Sequence, residues 1–129
     1  MIVLDTHALL WWALSAEQLS AAAAEVCERM ERDGGFASSI SIWELGVKIR
    51  NGKLDLGLPL PEFVRRLEQG GVVELLPVDT SIWIQTATLE WDHRDPADRV
   101  IVATALQKGL PILTKDDALH GFGAVQCVW

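Results

Sequence analysis

Basic residues are scarce in this chain. Eleven lysines and arginines stand against eighteen aspartates and glutamates over 129 residues, a formal net charge of −7. That balance argues against a protein that grips nucleic acid through a broad basic surface. It suits a site that takes cations, or a partner with a basic segment. Cysteine is almost absent: Cys27 and Cys127 lie far apart and form no metal-binding pair. This is the usage of free thiols in a reducing compartment, so a cytoplasmic location is expected. No basic stretch precedes the apolar opening Ile2-Val-Leu, which meets Asp5 at once; a strand is expected there, not a signal peptide. No apolar run approaches the roughly 18 residues that a membrane span needs.

Apolar residues are plentiful. Half the chain is hydrophobic and only 22% is charged, which excludes a disordered polymer. Residues 1–129 are expected to form one domain, and a chain of that size buries about two-thirds of its unfolded surface without disulfides or structural metals.

Short apolar runs alternate with longer helical ones. Strands are expected over residues 2–5, 36–39, 72–78 and 111–114, with a possible fifth at 125–129. Helices are expected over residues 7–14, then up to Asp33 before Gly34-Gly35, then over 41–51, 61–69, 79–91 and 100–108. Valine, isoleucine and alanine cover both faces of the last of these, so it should be buried on two sides. Strands alternating with helices imply a parallel sheet covered on both faces, an α/β/α sandwich.

In such a fold, strand C-termini and helix N-termini share one edge, where ligands bind. Four acids fall there. Asp5 ends the first strand, Glu44 lies in the first turn after the second, Asp98 opens the buried helix, and Asp116 follows the fourth strand. Each also has an ordinary use. Ser41-Ile-Trp-Glu44 reads as a capping box. Asp95-Pro-Ala-Asp98 reads as a capped helix start. Asp116, Asp117 and Asp5 could be turn residues. Capping does not account for Asp5 directly after a fully apolar strand with three more acids on its edge. Two carboxylates about 5 Å apart repel by roughly 3 kcal/mol at an effective dielectric near 20, a large share of a domain's stability of about 5–15 kcal/mol. Clustered acids must be protonated, separated or bridged by cations. Hard oxygen donors without cysteine favour Mg²⁺ or Mn²⁺ over zinc, and such a site suits phosphodiester hydrolysis.

Four segments carry a family resemblance: Ile2-Val-Leu-Asp-Thr-His-Ala-Leu-Leu-Trp-Trp12, Ser38-Ser-Ile-Ser-Ile-Trp-Glu44, His93-Arg-Asp-Pro-Ala-Asp-Arg-Val-Ile-Val-Ala103 and Ile112-Leu-Thr-Lys-Asp116. The chain resembles the PIN-domain ribonucleases, in particular the VapC-type toxins of toxin–antitoxin pairs. The first and third segments are specific, and the other two weaker alone. The resemblance implies a PIN-like parallel sheet, a homodimer, Mg²⁺- or Mn²⁺-dependent cleavage of RNA, and a cognate antitoxin that covers the acidic cleft. It assigns the family's four acids to Asp5, Glu44, Asp98 and Asp116, with Asp116 favoured over Asp117 by its spacing after Thr114. Asp5 and Asp98 would hold metal most directly. Glu44 would complete the shell or orient water, and Asp116 would act through water or a second ion. Thr6 or Thr114 would hydrogen-bond these carboxylates.

Other residues have weaker claims. Trp11, Trp12, Trp43, Trp83 and Trp91 could stack on bases, but all fall in helical runs, where core or dimer packing is their ordinary use. Lys48 could contact phosphate or pair with Glu44 one turn earlier. Arg50, Lys53, Arg65 and Arg66 are candidates for RNA backbone contacts, and Arg99 for pairing with an acid of its own edge. His7, His93 and His120 lack metal-ligand spacing. A receiver domain shares the sheet and the Thr114-Lys115 pair, yet it needs an acidic pair where this chain has Asp5-Thr6, and Asp55 lies in a poor context for phosphorylation. A catalytically inactive PIN-fold module that only docks an antitoxin remains the alternative, and a metal-bound phosphodiester does not by itself separate RNA from DNA.

Overall fold

The computed structural model describes residues 1–129. Strand β1 (Val3–Leu4) leads into α1 (Thr6–Leu14), a 3₁₀ turn at Ala16–Gln18 and α2 (Ala21–Asp33). Then follow β2 (Gly35–Ser38), α3 (Ile40–Arg50), α4 (Leu60–Gly70), β3 (Val73–Leu76), α5 (Thr80–Thr88), α6 (Pro96–Lys108), β4 (Ile112–Leu113), α7 (Asp117–Phe122) and β5 (Cys127–Val128). All five strands are parallel, in the order β3-β2-β1-β4-β5. Strand order therefore reverses between β1 and β4, and the crevice for a ligand opens beyond the C-terminal ends of those two strands.

Alternation along the strands builds the two faces. Leu4, Ala37 and Leu113 point into a core with Ala8 and Leu9 of α1, Val26 and Met30 of α2, Leu45 of α3 and Phe63 and Leu67 of α4. Val3 and Ile112 point the other way, onto Ile101, Val102 and Ala105 of α6 and Leu119 of α7. The opposite side of α6 buries Val100 and Ala103 against Ile82 of α5, so α6 is buried on two sides as its composition requires. The α/β/α sandwich is thus observed, and no helix is long and apolar enough to cross a membrane.

Local details depart from expectation in three places. Helix α3 starts at Ile40, with Ser39 in the cap position and no side-chain capping bond. Ser41 is buried inside the helix, its hydroxyl 2.8 Å from that of Thr6. The capping box does not form, and Glu44 sits beyond the first turn. Helix α5 ends at Thr88, leaving Trp91 outside any helix, because Arg99 takes the carbonyls of Thr86 and Leu89 that a further turn would use. Helix α7 was not expected: Asp116 caps it, accepting from the Ala118 amide at 2.9 Å.

Candidate active site

Asp5 and Thr114 mark the crevice. They end neighbouring strands, since the Asp5 amide donates to the Leu113 carbonyl at 3.2 Å. Asp5 is 5% exposed and Thr114 fully buried. Of the Asp5 carboxylate, Oδ1 accepts from the Ala8 amide at 2.8 Å, capping α1, and Oδ2 accepts from the Thr114 hydroxyl. That same hydroxyl accepts from the Asp116 amide at 3.0 Å. Thr114 thus links the acid of one strand to the acid after the next, as expected for one of the two threonines. Thr6 bonds Ser41 instead.

Burial pushes the Asp5 carboxyl above its ordinary range; the Thr114 and Ala8 bonds and nearby His7 oppose this, and the Asp116 charge adds to it. Asp98, in the first turn of α6, is raised to about 6, first by burial and then by the charges of Asp95 and Asp116, with His93 opposing. Asp116 acts on both Asp5 and Asp98, so these three share one field. Asp117 does not enter it.

Glu44 stands apart. It is partly buried on α3, forms no hydrogen bond or ion pair, and is not among the charges that shift Asp5 or Asp98. No three carboxylate, imidazole or thiol groups converge tightly enough to form a ready-made ion cage.

Around the acids, several residues behave otherwise than sequence suggests. Lys48 donates to His7 Nε2 at 3.2 Å and does not pair with Glu44. His7 lies against Trp11, ring centroids 5.4 Å apart, and Lys115 Nζ sits 5.9 Å from the Trp11 ring. His93 lacked a signal by spacing, yet its Nε2 lies 2.6 Å from Asp98 Oδ2. The clue was local: Asp95 caps α6 through the Asp98 amide, which folds the preceding residues back on the helix start. Arg99 pairs with no acid; its guanidinium bonds only backbone carbonyls. Trp43 and Trp83 are 56% and 47% exposed, so they do not serve the core.

Thr114→Val keeps the shape but removes the only side-chain donor to Asp5; a loss of about 1–3 kcal/mol is expected. Chemical denaturation measures it, and an unchanged midpoint would mean water replaces the hydroxyl. Asp98 holds its proton to about 6 when folded, against an ordinary aspartate value of 3.8, so folding takes up a proton between those limits. The isolated protein should therefore gain stability from this group as pH falls from about 7 to 5, and lose that gain as pH rises through 6. Melting curves in chelator at the two pH values check the sign, and a lower Tm at the acid value would contradict it.

A family model described as PIN domain matches residues 2–124. Ribonuclease VapC22 of Mycobacterium tuberculosis is 29% identical over 120 residues, 92% of this chain and 89% of the relative. Among solved structures, VapBC2 from Rickettsia felis bound to a DNA fragment from its promoter superposes with a TM-score of 0.69 at 14% identity, covering 99% of this chain and 98% of that one. FitAcB from Neisseria gonorrhoeae gives 0.67 at 22% identity, covering 100% and 97%. A toxin–antitoxin complex from Klebsiella pneumoniae gives 0.65 at 16% identity, covering 100% and 97%.

Proposed function

The chain belongs to the PIN-domain family, and from that premise we propose that it is a divalent-metal-dependent endoribonuclease, the toxin of a toxin–antitoxin pair. One observation carries the reading most: at the reversal of strand order, buried Asp5 and partly buried Asp98 are both held above the ordinary carboxylate range, with Asp116 acting on both. Acids so placed are poor stabilisers of the bare protein, whereas a cation beside them favours their ionised forms. The donors are carboxylate oxygens, which fit Mg²⁺ or Mn²⁺. Asp5 and Asp98 would hold the ion directly, Glu44 would complete the shell, and Asp116 would act through water or a second ion. A divalent ion there supplies the Lewis acidity that phosphodiester hydrolysis requires at neutral pH.

The chain's own residues prepare this site. Thr114 and the Ala8 amide fix the Asp5 carboxylate. Lys48 rests on His7 and Lys115 near the Trp11 ring, neither with a carboxylate partner, so both are available to RNA phosphates. Lys48→Ala and Lys115→Ala should each raise KM by about fivefold with kcat little changed, as expected for one exposed phosphate contact. A fall in kcat alone would remove that role.

The net charge of −7 suits an antitoxin with a basic segment covering the acidic edge. Exposed Trp83 and Ile84 on α5 suit a homodimer, which light scattering would detect. Such a protein would act on cytoplasmic RNA. A second reading, a PIN-fold module that docks an antitoxin without cutting, draws on the separation of Glu44 from the other acids.

Matched single-stranded RNA and DNA of one sequence, with structured RNA beside them, separate the readings. Cleavage of RNA but not DNA, only with Mg²⁺ or Mn²⁺, is expected. A folded protein that cuts nothing and takes up no Mn²⁺ would be the docking module.

A further inference from the structure

Between α5 and α6, residues 89–95 form neither helix nor strand. Carbonyls in such a segment need partners, and one side chain serves three of them, at Leu89, Trp91 and His93. Arg99 Nε and Nη2 donate to the Thr86 carbonyl at 3.1 and 2.9 Å, and Nη2 also to Leu89 at 2.9 Å. Its Nη1 donates to the Trp91 and His93 carbonyls at 2.7 and 3.0 Å. All five N–H groups of the guanidinium are thereby used on four backbone oxygens. Because Arg99 follows Asp98 directly, the helical turn that carries the acid also holds the loop.

That loop delivers His93. Its ring lies 4.6 Å from Trp91, and Trp91 stacks on Phe122 of α7 at 4.7 Å. Held by its carbonyl and by this stack, the imidazole reaches Asp98 Oδ2 at 2.6 Å. Asp98 Oδ1 has no hydrogen-bond partner within the chain. One carboxylate oxygen is therefore engaged and the other left open.

We propose that His93, carried on the Arg99-caged loop, is a positioning residue for Asp98: its N–H occupies Oδ2 and turns Oδ1 toward the cation. The inference rests on the reading of Asp98 as a metal ligand. Partners that orient a ligating side chain in this way raise metal affinity without touching the ion. An imidazole that merely packed the loop would stabilise the fold and leave affinity alone.

Mn²⁺ binding by calorimetry separates these roles. His93→Ala should weaken Mn²⁺ binding about 10–100-fold and lower kcat with KM for RNA unchanged. His93→Gln, whose amide N–H can reach the same oxygen, should restore affinity to within about threefold of the native protein. If His93→Ala fails to unfold cooperatively, His93→Asn, a shorter amide that stops short of Oδ2, takes its place with the same expected loss. Native-like Mn²⁺ affinity in the alanine or asparagine variant overturns the proposal, and so does a glutamine variant as weak as alanine. No Mn²⁺ binding by the native protein would overturn the metal reading itself, a distinct result from failure of His93 alone.

Discussion

Asp98→Asn is expected to lower RNA cleavage by about a thousandfold, the scale of losing a preorganised group at the reacting centre, while making the metal-free protein more stable. Both effects have one origin. The carboxyl is raised to about 6 by burial and by Asp95 and Asp116, so at neutral pH its charge is held against its surroundings. Asparagine removes that charge and keeps an oxygen for His93. With allowance for partial exposure, the gain is about 1 kcal/mol, or roughly 4 °C in Tm for a domain of this size. Melting in EDTA and cleavage in Mg²⁺ are read on the same preparation. Opposite movements of stability and activity mark a group placed for function; parallel losses would make Asp98 a structural residue.

Arg99→Ala should be the most damaging single change to the fold outside the apolar core. It strips five charged hydrogen bonds and leaves the carbonyls of Thr86, Trp91 and His93 without a partner, while Leu89 keeps the Trp91 amide at 2.9 Å. Water will recover part of the loss, because the site is only partly buried. A cost of about 3–5 kcal/mol is expected, lowering Tm by roughly 12–20 °C. Arg99→Lys should recover little of this, since an ammonium has three donors and no planar fork. A drop below about 4 °C would show that the loop holds itself.

What sequence could show depended on how local the cause was. Asp5, Asp98 and Asp116 were legible because alternation of strands and helices forces those positions to one edge. Asp95 and Pro96 announced the start of α6 through capping chemistry alone. The start of α3 departs from the capping-box expectation for a different reason. Three of the four residues in Ser38-Ser-Ile-Ser41 could cap, and the contact that decides, Ser41 to Thr6, spans 35 residues. For Glu44 the same early start matters, because it places the residue beyond the first turn of α3, where the capping-box reading puts it inside. The six-residue α7, with Gly121 inside it and Gly123 as its cap, has too little helical propensity to stand out. His93 and Arg99 were hidden for the deepest reason: their roles follow from the path of an irregular loop, which no periodicity encodes.

The central claim is that these carboxylates act through a divalent ion on RNA. Its most direct test is cleavage of labelled total RNA by the partner-free protein in Mg²⁺ or Mn²⁺ against EDTA, with Asp5→Asn alongside. Discrete products that require metal and vanish with Asp5→Asn are the predicted result. Undiminished cleavage in EDTA or by a folded Asp5→Asn protein would contradict it.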